Sequence, residues 1–116
     1  MIYTTYFTKA DKLQIPNEDR VAISIFTPAS YRGLSLKELA PSQQLLNQWK
    51  QSAQTDEDWL KYEVEYKKQL ENLNPREVAK LLNGKTMLCY EASDRYCHRR
   101  LVAQWLRFHG YLVLEL

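Results

Sequence analysis

Apolar and polar positions fall into short blocks along this chain, and each block has the length and spacing of a secondary-structure element. Ile2 to Phe7 is rich in β-branched and aromatic residues, which favours a first strand. Thr8 to Arg20 is polar and contains Pro16 and Asn17, so a connection with at most a short helical turn is expected. Val21 to Phe26 is almost continuously apolar, as in a strand covered on both faces, and Thr27-Pro28 ends it. The stretch from Ala29 to Ser35 reads as a loop carrying hydroxyls, Arg32 and Gly33.

Helical spacing then takes over. After Pro41-Ser42, the segment Gln43–Gln51 places Leu45, Leu46 and Trp49 on one face. Thr55 or Asp56 can cap the next helix, in which Trp59, Leu60, Val64, Tyr66 and Leu70 mark the expected buried face. Its outward Lys61, Glu65, Lys67 and Lys68 mix acids with bases, which fits a solvated face better than a nucleic-acid surface. Asn74-Pro75-Arg76-Glu77 has the form of a helix start, with Val78, Leu81 and Leu82 as the buried side and Asn83-Gly84 as the stop. Thr86 to Cys89 is a third strand, Cys97 to His109 a last helix burying Leu101, Val102, Trp105 and Leu106, and Tyr111 to Leu114 a fourth strand after Gly110. This order predicts one α/β domain over residues 1–116, a small, mostly parallel four-stranded sheet with helices packed on it.

Composition narrows the picture only slightly. The 116 residues suffice for one core, and the formal net charge of +2 gives no global basic footprint for nucleic acid. No apolar run approaches the length that spans a bilayer, and the N-terminal segment lacks the features of a signal peptide. A cytoplasmic location is therefore expected, with no membrane partner and with Cys89 and Cys97 as free thiols.

Candidate chemistry is concentrated between Cys89 and Arg100. A strand ends at Cys89, a polar loop follows, and a helix opens near Cys97, the arrangement that presents backbone N–H groups and the helix dipole to an anion. Arginines and a helix N-terminus both favour a thiolate at Cys97, whereas Cys89, at a strand end, is equally suited to packing. His98 and Arg99 in the first helical turn suit anion binding or general acid–base work. Basic side chains there are electrostatically unfavourable unless an anion or a carboxylate such as Glu91 or Asp94 compensates. The spacing from Cys89 to Arg95 also matches the loop of cysteine-dependent phosphatases. It has no glycine, however, and Glu91 and Asp94 would repel a phosphate, so coincidence explains it better. Cys89, Cys97 and His98 lack a fourth zinc ligand, because His109 lies about 16 Å along the helix. No metal and no cofactor is expected. Tyr31 and Arg32 complete the candidate set, since their loop should leave the same sheet edge, unless Tyr31 merely packs down.

Met87-Leu88-Cys89-Tyr90-Glu91, followed by Cys97-His98-Arg99 and the helix to Leu106, resembles domain-of-unknown-function family 488. That family's signature is Cys-x-Glu near a strand end, Cys-His-Arg opening a helix, and a closing glycine and strand, here Gly110 to Val113. Ile2 to Tyr6 and Ile23-Ser24-Ile25 with Pro28 look like its first two strands. The resemblance implies an α/β fold and a functional motif of Cys89, Glu91, Cys97, His98 and Arg99, in a short, divergent member of bacterial or phage type. It implies no agreed reaction. Many members carry an acidic and a basic residue where this chain has Ser24 and Phe26, and the usual proline before Cys-His-Arg is replaced within Ser93-Asp94-Arg95.

Two functions are compatible with this reading. In the first, the strand–loop–helix segment 89–99 binds a nucleotide or a nucleic-acid phosphate through Arg99, Tyr31 and Arg32, with Cys89, Glu91, Cys97 and His98 as catalytic groups if the protein is an enzyme. In the second, it is a non-catalytic accessory protein that binds another protein, and the motif is structural, with Arg99 paired to Glu91. The first requires His98, Arg99 and a thiol exposed in a shared concavity.

Overall fold

The computed structural model describes residues 1–91 and 96–116. Strand β1 (Ile2–Tyr6) runs directly into helix α1 (Phe7–Lys12), and strands β2 (Arg20–Ala22) and β3 (Leu34–Ser35) follow. Helices α2 (Gln43–Gln51), α3 (Asp56–Glu71) and α4 (Pro75–Leu82) come next, then β4 (Thr86–Cys89), α5 (His98–Phe108) and β5 (Val113–Glu115). The strands form one parallel sheet in the order β3-β2-β4-β1-β5. The fold is α/β, with five strands where the sequence pattern suggests four.

The direction of each connection determines which face a helix covers. Passing from β1 to β2 moves one way across the sheet, and passing from β4 to β5 moves the other way. Right-handed crossovers then require helices on opposite faces. Phe7 and Ala10 of α1 accordingly pack with Ala22 and Leu88 on one side. The larger core lies on the other side, where Val21, Ile23 and Met87 meet Tyr66, Leu70, Leu82, Val102 and Leu106 of the later helices. Alternate residues of β2 and β4 thus serve the two cores, as the pleat demands.

Several boundaries differ from the sequence expectation, each for a local reason. The second strand is shorter than the apolar run. Ile23 still donates its N–H to the Leu88 carbonyl at 3.0 Å, but beyond it the Ser24 hydroxyl donates to the Phe26 carbonyl at 2.5 Å. Such a side-chain turn competes with the ladder and bends the chain away. The expected 29–35 loop ends in the two-residue strand β3, and the α-helix Phe7–Lys12 takes up the end of the expected first strand and the start of the expected first connection.

Helix starts agree closely with their capping residues. The Ser42 hydroxyl accepts from Leu45 N–H, Thr55 and Asp58 form a reciprocal capping box, and the Asn74 side chain accepts from the amides of Arg76 and Glu77. The buried faces are rotated from expectation. In α3 the inward row is Tyr62, Tyr66 and Leu70, while Leu60 and Val64 are exposed. The aromatic row buries more area, and the Tyr66 hydroxyl finds the Leu39 carbonyl at 2.5 Å. In α4, Val78, Ala79 and Leu82 face inward and Leu81 is 57% exposed.

This rotation has a direct test in urea denaturation. Leu82→Ala, at a fully buried position, is expected to cost about 2–5 kcal/mol. Leu81→Ala should stay within about 0.5 kcal/mol of the parent.

Candidate functional site

In an open parallel sheet the natural crevice lies where neighbouring strands send their connections in opposite directions. Here β2 leads outward to β3 and the adjacent β4 leads the other way to β5. At the carboxyl ends of these two strands is a cavity of about 260 Å³. Ser24, Ile25 and Phe26 beyond β2, Tyr90 and Glu91 beyond β4, His98 at the start of α5, and Leu46 and Lys50 of α2 line it. A second cavity of about 740 Å³ shares Leu46, Lys50 and Glu91 and adds Trp49, Gln54, Tyr96 and Arg100.

Arg99 lies beneath the cavity, not on its lining. Its side chain is wholly buried, with Nη2 donating to Glu115 Oε2 at 2.9 Å and Nε to Glu115 Oε1 at 3.4 Å. Nη1 donates to Cys89 Sγ at 3.0 Å and to the Glu91 carbonyl. The guanidinium carbon lies 5.9 Å from the centre of the Tyr6 ring. A buried guanidinium is tolerable only where acceptors meet its donors, and four of the five N–H groups of Arg99 are met here. The carboxylate that pairs with it comes from β5. Glu91 contributes its main-chain carbonyl, leaving its own carboxylate exposed.

Cys89 and Cys97 are both buried and are joined as a disulfide, in place of the free thiols expected from the sequence. The reason is topological, since β4 leads into the helix that packs back on it and brings the two ends of the intervening segment together. One donor atom each from Cys89, Glu91 and Cys97 lies within 4.8 Å of the others. Thiolates are the sulfur ligands that metals take, so this trio is a ligand set only when the sulfurs are reduced. Asp94 and Arg95, considered above as a compensating acid and as part of a phosphatase-like loop, lie outside the described residues.

His98 is 7% exposed, and its Nε2–H donates to the Ile23 carbonyl at 2.6 Å. A carbonyl can only accept, so Nε2 carries the proton and Nδ1 is left as an acceptor. Burial, with a smaller contribution from the Arg99 charge, lowers its pKa to about 4 despite the Ile23 bond. At neutral pH His98 is therefore an uncharged hydrogen-bonding group on the cavity wall, not a cation facing an anion.

Tyr31 and Arg32 stand apart from this cavity. The Tyr31 ring packs edge-on against Phe7 at 5.4 Å and its hydroxyl donates to the Leu34 carbonyl at 2.5 Å. It reaches the cavity only in relay, through the 4.9 Å contact of Phe7 with Tyr90. Arg32 is exposed and its Nη1 lies 3.5 Å from the Tyr31 carbonyl. Sequence reasoning missed Lys50, Ser24 and Tyr90 on the wall and Glu115 beneath it. Glu115 left a trace as an acid following an otherwise apolar strand, and Ser24 one as a position where the resemblance expects a charge. Ser24 and Phe26, where the resemblance expects an acid and a base, both line this cavity.

Two outcomes follow from this geometry. Removing Arg99 leaves Glu115 and the Glu91 carbonyl without their donor, so Arg99→Ala should lose on the order of 3 kcal/mol in chemical denaturation. Arg99→Lys should recover only part of that, because an ammonium cannot replace the planar fork. For His98, the unfolded state takes up a proton near pH 6.5 and the folded state only near 4. Its contribution is thus complete above pH 6.5 and is lost as pH falls through that window, by roughly 3 kcal/mol at the lower end. Stability measured from pH 7 to pH 4 should fall less steeply in His98→Gln than in the parent.

Comparison with known proteins adds one match. The family model DUF488-N3a, described as the active DUF488-N3 subclade, matches residues 8–110. No curated protein and no solved structure matches the chain. The matched span runs from α1 through α5 and includes the whole cavity lining. This chain belongs to the DUF488 family.

Proposed function

We propose that this protein binds an anionic ligand, a nucleotide or a nucleic-acid phosphate, in the crevice between the carboxyl ends of β2 and β4. The observation that carries the reading is the cavity there, where Ser24, Glu91, His98 and Lys50 converge among apolar walls. A few polar groups set in a mostly apolar concavity at such a crevice are the usual form of a small-ligand site. Lys50 and the neighbouring Arg100 supply positive charge, and Glu91 is the acid that the two cavities share. Neutral His98 orients the ligand by accepting at Nδ1. Arg99 acts as a positioning residue through the Glu91 carbonyl, and the Cys89–Cys97 link closes the segment between the two walls.

A second reading, a non-catalytic accessory protein with a protein partner, draws support from Phe108 and Leu112. These residues are 85% and 71% exposed around the turn from α5 to β5.

A thermal-shift screen against nucleotides, phosphosugars, oligonucleotides and simple oxyanions separates the two readings. A ligand at about a hundred times its dissociation constant should stabilise by roughly 2.7 kcal/mol, several degrees at this size. Lys50→Ala, at an exposed position, should keep the parent melting temperature and lose the shift. No shift with any ligand would overturn the ligand-site reading and favour the protein-binding one.

A further inference from the structure

The two cavities differ in chemistry, and the difference suggests what kind of anion fits. The inner one is small, with Phe26, Leu46 and Tyr90 as apolar walls and Ser24 and His98 as the hydrogen-bonding groups it does not share, while Lys50 and Glu91 line it in common with the outer one. Such a slot suits a flat heteroaromatic ring with a polar edge. The outer one is larger and carries Lys50, Arg100 and Gln54 beside Trp49 and Tyr96. Two cations lining one cavity, Lys50 from α2 and Arg100 from α5, suit a phosphoryl group. Glu91 lines both cavities, and a carboxylate at such a junction suits the hydroxyls of a ribose, to which it can only accept hydrogen bonds.

Taking the crevice as an anionic-ligand site, we infer that its ligand is a mononucleotide, with the base in the inner cavity, the ribose against Glu91, and the phosphate between Lys50 and Arg100. A nucleic-acid strand fits less well. Strand binding relies on a run of phosphate contacts along a basic track. Here the lysines of α3 are interleaved with acids, as in the Lys67–Glu63 and Lys68–Glu65 pairs, and the net charge is only +2.

Titration calorimetry on the full chain tests this with AMP, GMP, CMP and UMP, the corresponding nucleosides, ribose 5-phosphate, inorganic phosphate and a short oligonucleotide. At least one mononucleotide should bind, its nucleoside should bind more weakly and compete with it, and inorganic phosphate should bind more weakly still. Lys50→Ala and Arg100→Ala should each weaken the mononucleotide by roughly tenfold while changing nucleoside affinity far less. Ser24→Ala should weaken nucleoside and nucleotide by the same factor. Inorganic phosphate binding as tightly as any mononucleotide, with no competition from nucleosides, would overturn the inference while leaving an anion site in place. An oligonucleotide binding more tightly than every mononucleotide would do the same. No binding by any probe would remove both this inference and the ligand-site reading beneath it.

Discussion

The wholly buried Arg99 guanidinium is the constraint around which the carboxyl edge of the sheet is arranged. Taking such a charge out of water costs several kcal/mol, and the cost is offset only while every donor keeps its acceptor. The acceptors come from the end of β4, from the chain just beyond it and from β5, with the Tyr6 ring of β1 alongside. A single side chain of α5 therefore ties the helix to three strands of the sheet. Among the described residues no buried side-chain polar atom lacks a partner. The edge is held by satisfied polar contacts as well as by apolar packing.

This arrangement divides the Cys-His-Arg motif by depth. Arg99 and the two sulfurs lie beneath the surface, and His98 reaches the cavity wall beside Glu91 and Tyr90. The same Glu91 residue serves both levels, since its carbonyl is held by Arg99 while its carboxylate remains exposed. A second buried feature supports the wall from the opposite side. Tyr62 and Tyr66 of α3 are kept protonated by burial, and Tyr66 packs edge-on against the His98 ring at 5.6 Å. The ring is thereby held between the Ile23 carbonyl and an aromatic edge, and its orientation is set by the fold itself.

The sequence disclosed the fold better than the site, and for a physical reason. Helix starts depend on local chemistry, so Thr55 and Asn74 could be read directly as caps. The strand Thr86–Cys89 stood out because all four of its residues face cores. Which of two equivalent rows a helix buries depends on its neighbours, and that explains the exchange of Leu60 and Val64 for Tyr62. The partner of Arg99 could not be read at all. Glu115 is distant in the chain and becomes adjacent only once β5 pairs with β1. The cavity posed the same difficulty, because Lys50 resembles any cation in the last turn of a helix until the 24–26 bend comes to lie opposite it.

The two outer strands carry a consequence of a different kind. One flank of the sheet is β3, with two residues, and the other is β5, with three. An unpaired edge invites another chain to add a strand, and the invitation grows with the length of its regular ladder. These flanks offer only a short template on either side, and Glu115 adds a charge to one of them. Growth of the sheet from molecule to molecule, a hazard of any open sheet edge, is therefore checked at both ends by brevity and at one of them by charge as well.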